Sequence, residues 1–204
     1  TTETYYDSYD ACDGRRESGS ARACHRISIS VDGGSYAVLS VVYSMSNECA
    51  EKSGESPREK AEKIIEELKT YRMGLEYLAG FQDENARTLS KSAEQFVARR
   101  ESTGGRTILA GFPFFEDWGR DTMIALPGVC ISTRRYEEAE SILRTFAAYE
   151  RKGLMPNLFP EGKNDPMYNT VDAALLFINC VWLYYEASAK REFVQEMYPV
   201  MERI

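Results

Sequence analysis

The sequence lacks the long apolar runs that a membrane protein requires. No stretch of its 204 residues approaches the roughly 18 apolar residues of a membrane-spanning helix. The first residues, TTETYYDSYDACDG, have no basic segment followed by an apolar one, which would mark a signal peptide. Dense Lys/Arg tracts are also missing and the net charge is −7, whereas binding to nucleic acid needs a basic face. We therefore expect a soluble cytoplasmic protein that contacts neither membrane nor nucleic acid.

Histidine and paired cysteines are scarce. The single histidine is His25, and the five cysteines, at positions 12, 24, 49, 130 and 180, are widely spaced and include no Cys-x-x-Cys pair. This pattern supports neither a disulfide framework nor a zinc site. Cys130 and Cys180 lie in apolar runs, where a small buried thiol is the expected role. We predict no metal and no cofactor.

The composition that remains is that of a globular protein. Hydrophobic residues make up 43% of the chain and aromatic residues 12%, with 13 tyrosines. Disordered chains contain fewer of both. The length suits one ordinary domain or a piece of a larger one, since domains run to roughly 100–200 residues. The acidic balance favours a neutral polar substrate.

The N-terminal part of the chain predicts a β-hairpin. Residues 1–26 are polar, whereas the segment 27–45, ISISVDGGSYAVLSVVYSM, alternates and then runs apolar around Asp-Gly-Gly. This pattern is typical of two strands joined by a tight turn. Because two strands alone cannot bury a face in water, we expect the hairpin to be the last edge of a larger sheet that began before this chain.

Helical spacing dominates the rest of the chain. After a Ser/Glu/Gly linker, Pro57 opens a segment in which apolar residues recur at helical spacing: Ile64, Ile65, Leu68, Leu75 and Leu78. A second helix is predicted over 85–100, and a turn at Gly104-Gly105 follows. Further helices are predicted over about 120–133, 136–151, 170–190 and 192–204. The helix from Thr170 is apolar nearly all round and should be buried on most sides, which suits two concentric layers of helices.

Charged and aromatic residues are concentrated in FPFFEDWGRDTMIALPG, residues 112–128, directly ahead of an apolar run. Acidic residues at a helix N-terminus are stabilised by roughly 0.3–1 kcal/mol each, which is one explanation for Glu116, Asp117 and Asp121. Capping does not account for the aromatic residues among them. Sugar sites need both kinds of residue, because rings stack on sugar faces while Asp and Arg bind hydroxyls. Arg120 beside Asp121 would grip two hydroxyls, or would form a buried pair that serves structure alone.

A second cluster is GLMPNLFPEGKNDPMYNTVDAALLF, residues 153–177, which ends in the most apolar predicted helix. Asn169 or Thr170 is expected to cap that helix, which leaves Asp172 in its first turn. The helix dipole would favour the Asp172 carboxylate, whereas burial beside apolar residues and Tyr168 would raise its pKa until it can donate a proton. The sequence leaves both effects open.

Three motifs in order, GGRTILAGFPFFEDWGRDTMIALPG, GLMPNLFPEG and YNTVDAALLF, resemble the C-terminal glucosidase domain of glycogen debranching enzymes, the amylo-α-1,6-glucosidase family. The resemblance covers roughly residues 95–204, and the Trp-x-Arg-Asp core is similar to the wider group of glucoamylase-like (α/α)6 barrels. It implies a mainly α protein. Residues 1–46 would be the end of an N-terminal β-sandwich domain, 47–94 a linker with connecting helices, and 95–204 the N-terminal part of the (α/α)6 barrel.

The activity that the resemblance implies is hydrolysis of α-1,6-linked glucose at branch points of glycogen or limit dextrin. Inversion uses a carboxylic acid and a carboxylate about 6.5–9.5 Å apart. Asp172 matches the catalytic acid, and Arg120 with Asp121 matches the pair that holds the glucose. Further sugar contacts are expected from Phe114, Asp117, Trp118, Asn157, Tyr168 and Asn169. The base in such barrels is a glutamate far downstream, so none is assigned, and Leu176 stands where family members usually carry tryptophan.

This interpretation makes two structural predictions. Asp117, Arg120, Asp121, Asn157, Asn169 and Asp172 should converge on one concave surface. Desolvation should keep Asp172 protonated near neutral pH, while the charge of Arg120 should hold Asp121 ionised.

Two other classes of function stay open. A non-catalytic glucan-binding module would bind the same branched α-glucan but would tolerate Asn at position 121 or 172, whereas a hydrolase would not. A purely structural helical repeat does not explain the aromatic and acidic clusters.

Overall fold

The computed structural model describes residues 2–6, 18–22, 27–42, 55–111, 115, 117–159 and 165–204. The chain divides into two compact units, Thr1–Glu62 and Lys63–Ile204. In the first unit, strands β1 (Thr2–Tyr6) and β2 (Ser18–Arg22) pair antiparallel, with Thr2 opposite Arg22. The sequence did not predict these strands, because the segment that contains them is polar.

The predicted hairpin over 27–45 is wrong in its strands. Ser35 N–H donates to Asp32 O at 3.0 Å, so the turn is present. No strand is formed within 27–42, and residues 43–45 lie outside the described part of the chain. The apolar side chains on both sides of the turn, such as Ile27 and Val38, are largely exposed. An apolar hairpin needs a buried face, and the alternating pattern alone does not supply one.

Two helices follow. Helix α1 (Pro57–Ala79) begins at the predicted proline, and Ser56 with Glu59 forms a reciprocal capping box at its start. Its apolar stripe is mostly exposed, and Ala79 is its buried residue. Helix α2 (Glu84–Ala93) is capped by the Asp83 side chain, which accepts from Ala86 N–H at 2.9 Å. This helix ends earlier than predicted, because residues 94–96 tighten into a 3-10 turn and the chain then extends into a strand.

Four helices build the hydrophobic core of the second unit. They are α3 (Gly119–Leu126), α4 (Tyr136–Ala148), α5 (Asp172–Ser188) and α6 (Arg191–Arg203). Helix α3 continues as a π-helical turn, Pro127–Ile131. Each bound lies within a few residues of its prediction. Leu126, Leu143, Phe177 and Met197 represent the four helices in one buried cluster, which also contains Cys130 and Cys180 as predicted.

Helix α5 is less enclosed than its composition predicts. Leu175 and Trp182 are both more than half exposed, although the core face of the helix is fully buried. An apolar helix surface is therefore not by itself evidence of burial on all sides.

Short strands connect these helices. Strands β3 (Val97–Arg99) and β4 (Arg106–Ile108) pair antiparallel across the predicted glycine turn, where Arg100 N–H donates to Gly105 O at 2.9 Å. Strand β5 (Asp117–Trp118) pairs with β6 (Leu158–Phe159). Both pairs escaped prediction because segments of two or three residues show no periodicity.

The described residues form a mainly helical protein with six α-helices. The (α/α)6 barrel, the two layers of helices and the domain bounds stay predictions. None of the helices described is both long and apolar enough to cross a membrane.

Glu140 of α4 joins three helices through a charged network. Its Oε1 atom accepts from Lys190 Nζ at 2.7 Å and from the hydroxyl of Tyr184 in α5, and its Oε2 accepts from Arg144 Nη1 at 3.0 Å. Arg144 in turn binds Glu196 of α6 through Nε at 2.8 Å and Nη2 at 2.9 Å. Desolvation alone would raise the pKa of Glu140, but the bonds from Lys190, Tyr184 and Arg144 outweigh it and lower the pKa.

We expect Glu140→Gln to destabilise the protein at about pH 7 by about 1–2 kcal/mol, because hydrogen bonds to a charged acceptor are lost. A carboxyl whose pKa is lowered by folding stabilises the protein above its unfolded pKa, and that contribution disappears as pH falls through the folded pKa. Urea unfolding of wild type and variant should therefore converge toward about pH 3. The control Glu202→Gln, on the exposed side of α6, should leave the free energy of unfolding within about 0.5 kcal/mol of wild type. A Glu140→Gln difference that stays constant with pH would contradict the network.

Candidate active site

The segment that leads into α3 carries a buried ion pair. Asp117 in β5 is 1% exposed. Its Oδ2 atom accepts hydrogen bonds from Arg100 Nε at 3.0 Å, from Arg100 Nη2 at 2.8 Å and from the Thr107 hydroxyl. Its Oδ1 atom accepts from the Thr122 hydroxyl at 3.2 Å. Both carboxylate oxygens are thus occupied by protein groups, as a buried charge requires.

The sugar contact predicted for Asp117 does not fit this position, because a side chain that is 1% exposed offers no surface to a ligand. Asp117 instead links β5 to the β3–β4 hairpin through Arg100 and to α3 through Thr122. The Arg100 guanidinium also lies 4.7 Å from the ring centre of Phe159, the residue opposite Asp117 in the β5–β6 pair. The ion pair therefore holds the two site segments, one before α3 and one before α5, against each other.

Gly119 brings the same two segments into close contact. Its N–H donates to Asn157 O at 2.8 Å, and a Cβ atom at this position would lie 2.0 Å from Pro156 O. Only a residue without a side chain permits this approach. The glycine therefore sets Arg120, the next residue, beside the chain segment that leads to Asp172.

Five polar residues meet beyond this contact, and we call them the polar cluster: Arg120, Asn157, Asn169, Thr170 and Asp172. Arg120 Nη1 lies 3.3 Å from Asp172 Oδ2, and these two side chains are 47% and 44% exposed. Asn157 Nδ2 donates to Asn169 Oδ1 at 2.7 Å, and the Thr170 hydroxyl donates to Asn157 Oδ1 at 3.2 Å. The structure thus brings Arg120, Asn157, Asn169 and Asp172 together, as the sequence predicted.

The electrostatics of Asp172 differ from the prediction of a protonated acid. Desolvation would raise its pKa, but hydrogen bonds from the Thr170 hydroxyl, the Ala173 N–H and Arg120 together lower it below the ordinary value. The reason is that Asp172 lies at the rim of the apolar helix rather than within its buried part, and is almost half exposed. In this structure Asp172 is a carboxylate near neutral pH.

The remaining predicted site residues surround the polar cluster less closely. Asp121 is exposed in the first turn of α3, and its predicted pairing with Arg120 is replaced by the bond between Arg120 and Asp172. Trp118 is half-buried and pairs with Leu158 across β5 and β6. Phe114, like Phe112 and Glu116, lies outside the described residues.

Tyr168 is held by groups of the protein itself. Its hydroxyl donates to Tyr149 O at 2.5 Å, and the Arg151 guanidinium lies 5.1 Å from its ring centre. Burial raises the pKa of Tyr168, and the charge of Arg151 opposes this effect. One face of the ring is thus occupied by Arg151. A shallow depression elsewhere, on α1, contains none of the predicted site residues and is lined by Lys63, Glu66, Glu67, Thr70 and Tyr71.

The predicted cap of α5 is wrong. The residue before α5 is Val171, without a side-chain cap, because Asn169 and Thr170 bond to Asn157 instead. Helix α3 also begins without a side-chain cap, after Trp118, but Asp121 lies in its first turn, where the helix dipole favours a carboxylate. Sequence reasoning also missed Arg100. No local signal could have found it, since its partner lies 17 positions along the chain.

Comparison with known proteins identifies relatives of the chain. A family model described as amylo-alpha-1,6-glucosidase matches residues 91–204. The chain belongs to the amylo-α-1,6-glucosidase family. Every predicted site residue of this family member lies within the matched segment, so the resemblance inferred from the three motifs is confirmed.

A relative of this glucosidase-family chain is the "Glycogen debranching enzyme" of Saccharomyces cerevisiae (strain ATCC 204508 / S288c), 38% identical over 108 residues. The match covers 48% of the chain and 7% of the yeast protein, so the chain spans only a small part of its relative. No solved structure shows significant similarity to the chain.

Gly119→Ala should destabilise this family member by about 3 kcal/mol, because the new methyl group collides with the Pro156 carbonyl and overpacking of a fixed backbone is costly. Gly128→Ala is the matched control: a Cβ atom there meets nothing within 4 Å, so its stability should be unchanged or slightly raised. Urea denaturation measures both. Equal stability of the two variants would show that the backbone contact between Gly119 and Pro156 can relax at little cost.

Arg100→Met should cost about 3–5 kcal/mol, since it leaves the Asp117 carboxylate buried without its cation. The control Lys69→Met removes a cation whose pairing with Glu66 is 66% and 72% exposed, so about 0–1 kcal/mol is expected. Thermal and urea unfolding of the two variants check this difference. If Arg100→Met is as mild as Lys69→Met, the buried pair does not hold the site segments together.

Proposed function

We propose that the chain is the part of a glycogen-debranching glycoside hydrolase that binds α-1,6-linked glucose at branch points of glycogen or limit dextrin and donates the proton in its hydrolysis. The observation that carries the proposal is the contact between Arg120 and Asp172, residues 52 positions apart that belong to two different motifs. Family membership and the name of the yeast relative support the same substrate class. A cytoplasmic location stays a prediction.

The exposed residues of the site suit a sugar. Arg120 and Asp121 are accessible at the start of α3, where the guanidinium donates to hydroxyls and the carboxylate accepts from them. Trp118 offers an aromatic ring beside them. Phe114, Asn157, Tyr168 and Asn169 complete the proposed contacts, with Asn157 acting chiefly through its neighbours because it is 3% exposed.

Asp172 must gain a proton before it can act as the acid. In the free protein, bonds from Thr170, Ala173 and Arg120 keep its pKa low against the opposing effect of desolvation. A glucose unit that takes the Arg120 N–H groups and expels water would weaken one of those bonds and increase the desolvation. Both changes raise the pKa of a carboxyl group. With its pKa raised on substrate binding, Asp172 would take up a proton from the solvent and become the proton donor.

Inversion additionally needs a base about 6.5–9.5 Å from the acid, with a water molecule between them. No residue is assigned to that role. Hydrolysis is therefore proposed for a protein in which such a base is present, and these 204 residues supply the acid and part of the glucose site. Without a base, we expect them to bind a glucan but not to hydrolyse it.

The alternative is a non-catalytic glucan-binding module. The low pKa of Asp172 favours it, because an ionised, arginine-paired aspartate is a good hydroxyl acceptor as it stands. The two functions differ in whether the side chain at position 172 has to transfer a proton. Asparagine there preserves hydrogen bonding to hydroxyls but cannot transfer a proton.

In the full-length enzyme, Asp172→Asn should lower kcat on branched limit dextrin by about 10²–10⁴-fold with little change in KM, because general acid catalysis is lost. On α-glucosyl fluoride the loss should be much smaller, since fluoride leaves with little protonation. Asp121→Asn is the matched variant, and it should lower the rates on both substrates by similar factors. Rate measurements on the two substrates decide the assignment.

Two outcomes would contradict it. If fluoride rescues Asp121→Asn and not Asp172→Asn, the two aspartates have exchanged roles. If Asp172→Asn retains wild-type turnover and glucan affinity, the chain is a binding module rather than the acid-bearing part of a hydrolase.

A further inference from the structure

Tyr168 is held in place by the three residues that follow α4. Its hydroxyl donates to Tyr149 O at 2.5 Å, and the Arg151 guanidinium lies 5.1 Å from the centre of its ring. The side chain is thus fixed at two points, one at the hydroxyl and one on a ring face. Tyr168 directly precedes Asn169 of the polar cluster, so the way in which it is held bears on the glucose site.

Glu150 lies between Tyr149 and Arg151 in the sequence and anchors the segment that contains them. Its side chain is 4% exposed. The Oε1 atom accepts from Gly153 N–H at 2.8 Å, and the Oε2 atom accepts from Nε of Arg203, the last residue of α6, at 2.5 Å. A buried carboxylate with both oxygens paired resists displacement, because moving it would leave its charge without a partner.

The turn that follows Arg151 keeps the backbone of this residue in place. Arg151 and Leu154 exchange two backbone hydrogen bonds of 3.0 Å across Lys152 and Gly153. Both turn residues have positive φ, as a two-residue turn of type I′ requires. A Cβ atom on Gly153 would lie 2.8 Å from Arg203 O, so the turn packs directly on the end of α6. A shift of Arg151 would therefore break the turn or its contact with α6.

These contacts limit how Tyr168 can meet a ligand. Its hydroxyl proton is taken by the Tyr149 carbonyl, so it is not available to a sugar oxygen, and Arg151 covers one ring face. Tyr168 is half-buried, and no aromatic ring in the described part of the chain stacks on it. The second ring face therefore suits the C–H groups on the face of a sugar.

We propose that Tyr168 contacts the glucan through this second ring face, and that Glu150 is the positioning residue that sets the face in place. Glu150 acts through Tyr149 and Arg151, since its own buried carboxylate offers no surface to a sugar. The inference rests on the proposed function for the identity of the ligand. The effect of Glu150 on the Tyr168 ring can be measured without any ligand.

The first measurement follows Tyr168 by NMR in the 204-residue protein with isotope-labelled tyrosine rings. Glu150→Gln keeps one acceptor oxygen but sets an amide N–H against the Arg203 guanidinium, so the segment is released. The Tyr168 signal should shift and its ring should flip faster. Glu196→Gln is the matched control, because it weakens another ion pair between α4 and α6, the one with Arg144, and should leave the signal unchanged. An unchanged Tyr168 signal in Glu150→Gln would overturn the proposal.

The second measurement is a double-mutant cycle on the Kd for a maltodextrin that carries one α-1,6-linked glucose, determined by calorimetry. Glu150→Gln should raise the Kd roughly tenfold, within the range of coupling between groups of one network. In the Tyr168→Ala background the same change should have no further effect, because the ring that Glu150 positions is gone. Tyr168→Phe keeps the ring and should retain most of the affinity.

Three outcomes are decisive. If Glu150→Gln and Tyr168→Ala weaken binding additively, Glu150 has only a structural role and the proposal is wrong. If Tyr168→Phe binds as weakly as Tyr168→Ala, the hydroxyl rather than the ring face contacts the sugar, which also contradicts it. If the wild-type protein does not bind the dextrin, the proposed function fails, and the NMR result alone decides whether Glu150 sets the Tyr168 ring.

Discussion

Asp117 is a buried carboxylate, and the groups packed around it have to neutralise its charge and satisfy its hydrogen-bond acceptors. Its two oxygens require a cation and several donors, which come from Arg100 and Thr107 of the β3–β4 hairpin and from Thr122 of α3. Meeting those needs fixes the β3–β4 hairpin against the start of α3, and the stacking of Arg100 on Phe159 adds the segment before α5. The two motifs of the site are thus joined by residues that lie outside the polar cluster.

Most of the helical architecture could be predicted from the sequence, because apolar residues at helical spacing leave a strong local signal. Helix α1 begins at Pro57 as predicted, and α4 and α6 lie within a few residues of their predicted bounds. The site could be predicted in part: the motifs indicated Arg120, Asn157 and Asp172, and the structure brings them together. What failed were three predictions about ionisation, burial and strand formation, which depend on groups distant in the sequence.

Three errors share that cause. Asp117 was expected to contact a ligand, because the residues near it in the sequence do not reveal that its charge is paired with Arg100. Asp172 was expected to be protonated because its neighbours in sequence are apolar, whereas its neighbours in space are Arg120 and Thr170. The 27–45 hairpin was expected because its alternation is good, although alternation does not show that a second layer covers the apolar face. Local patterns report propensity, and ionisation and burial are set by contacts that only the folded chain defines.

Gly119 has a consequence for how the site adapts to its ligand. The backbone of the α3 start lies directly on the Pro156–Asn157 backbone, with no side chain between them that could rotate to make room. The distance between these two backbone segments is therefore set by van der Waals contact and does not change when side chains rotate. Adjustment is left to the long, half-exposed side chain of Arg120. Under the proposed function, such a site would discriminate between substrates by the size of the sugar ring and the placement of its hydroxyls. It would tolerate variation in the parts of a glucan that the Arg120 side chain does not reach.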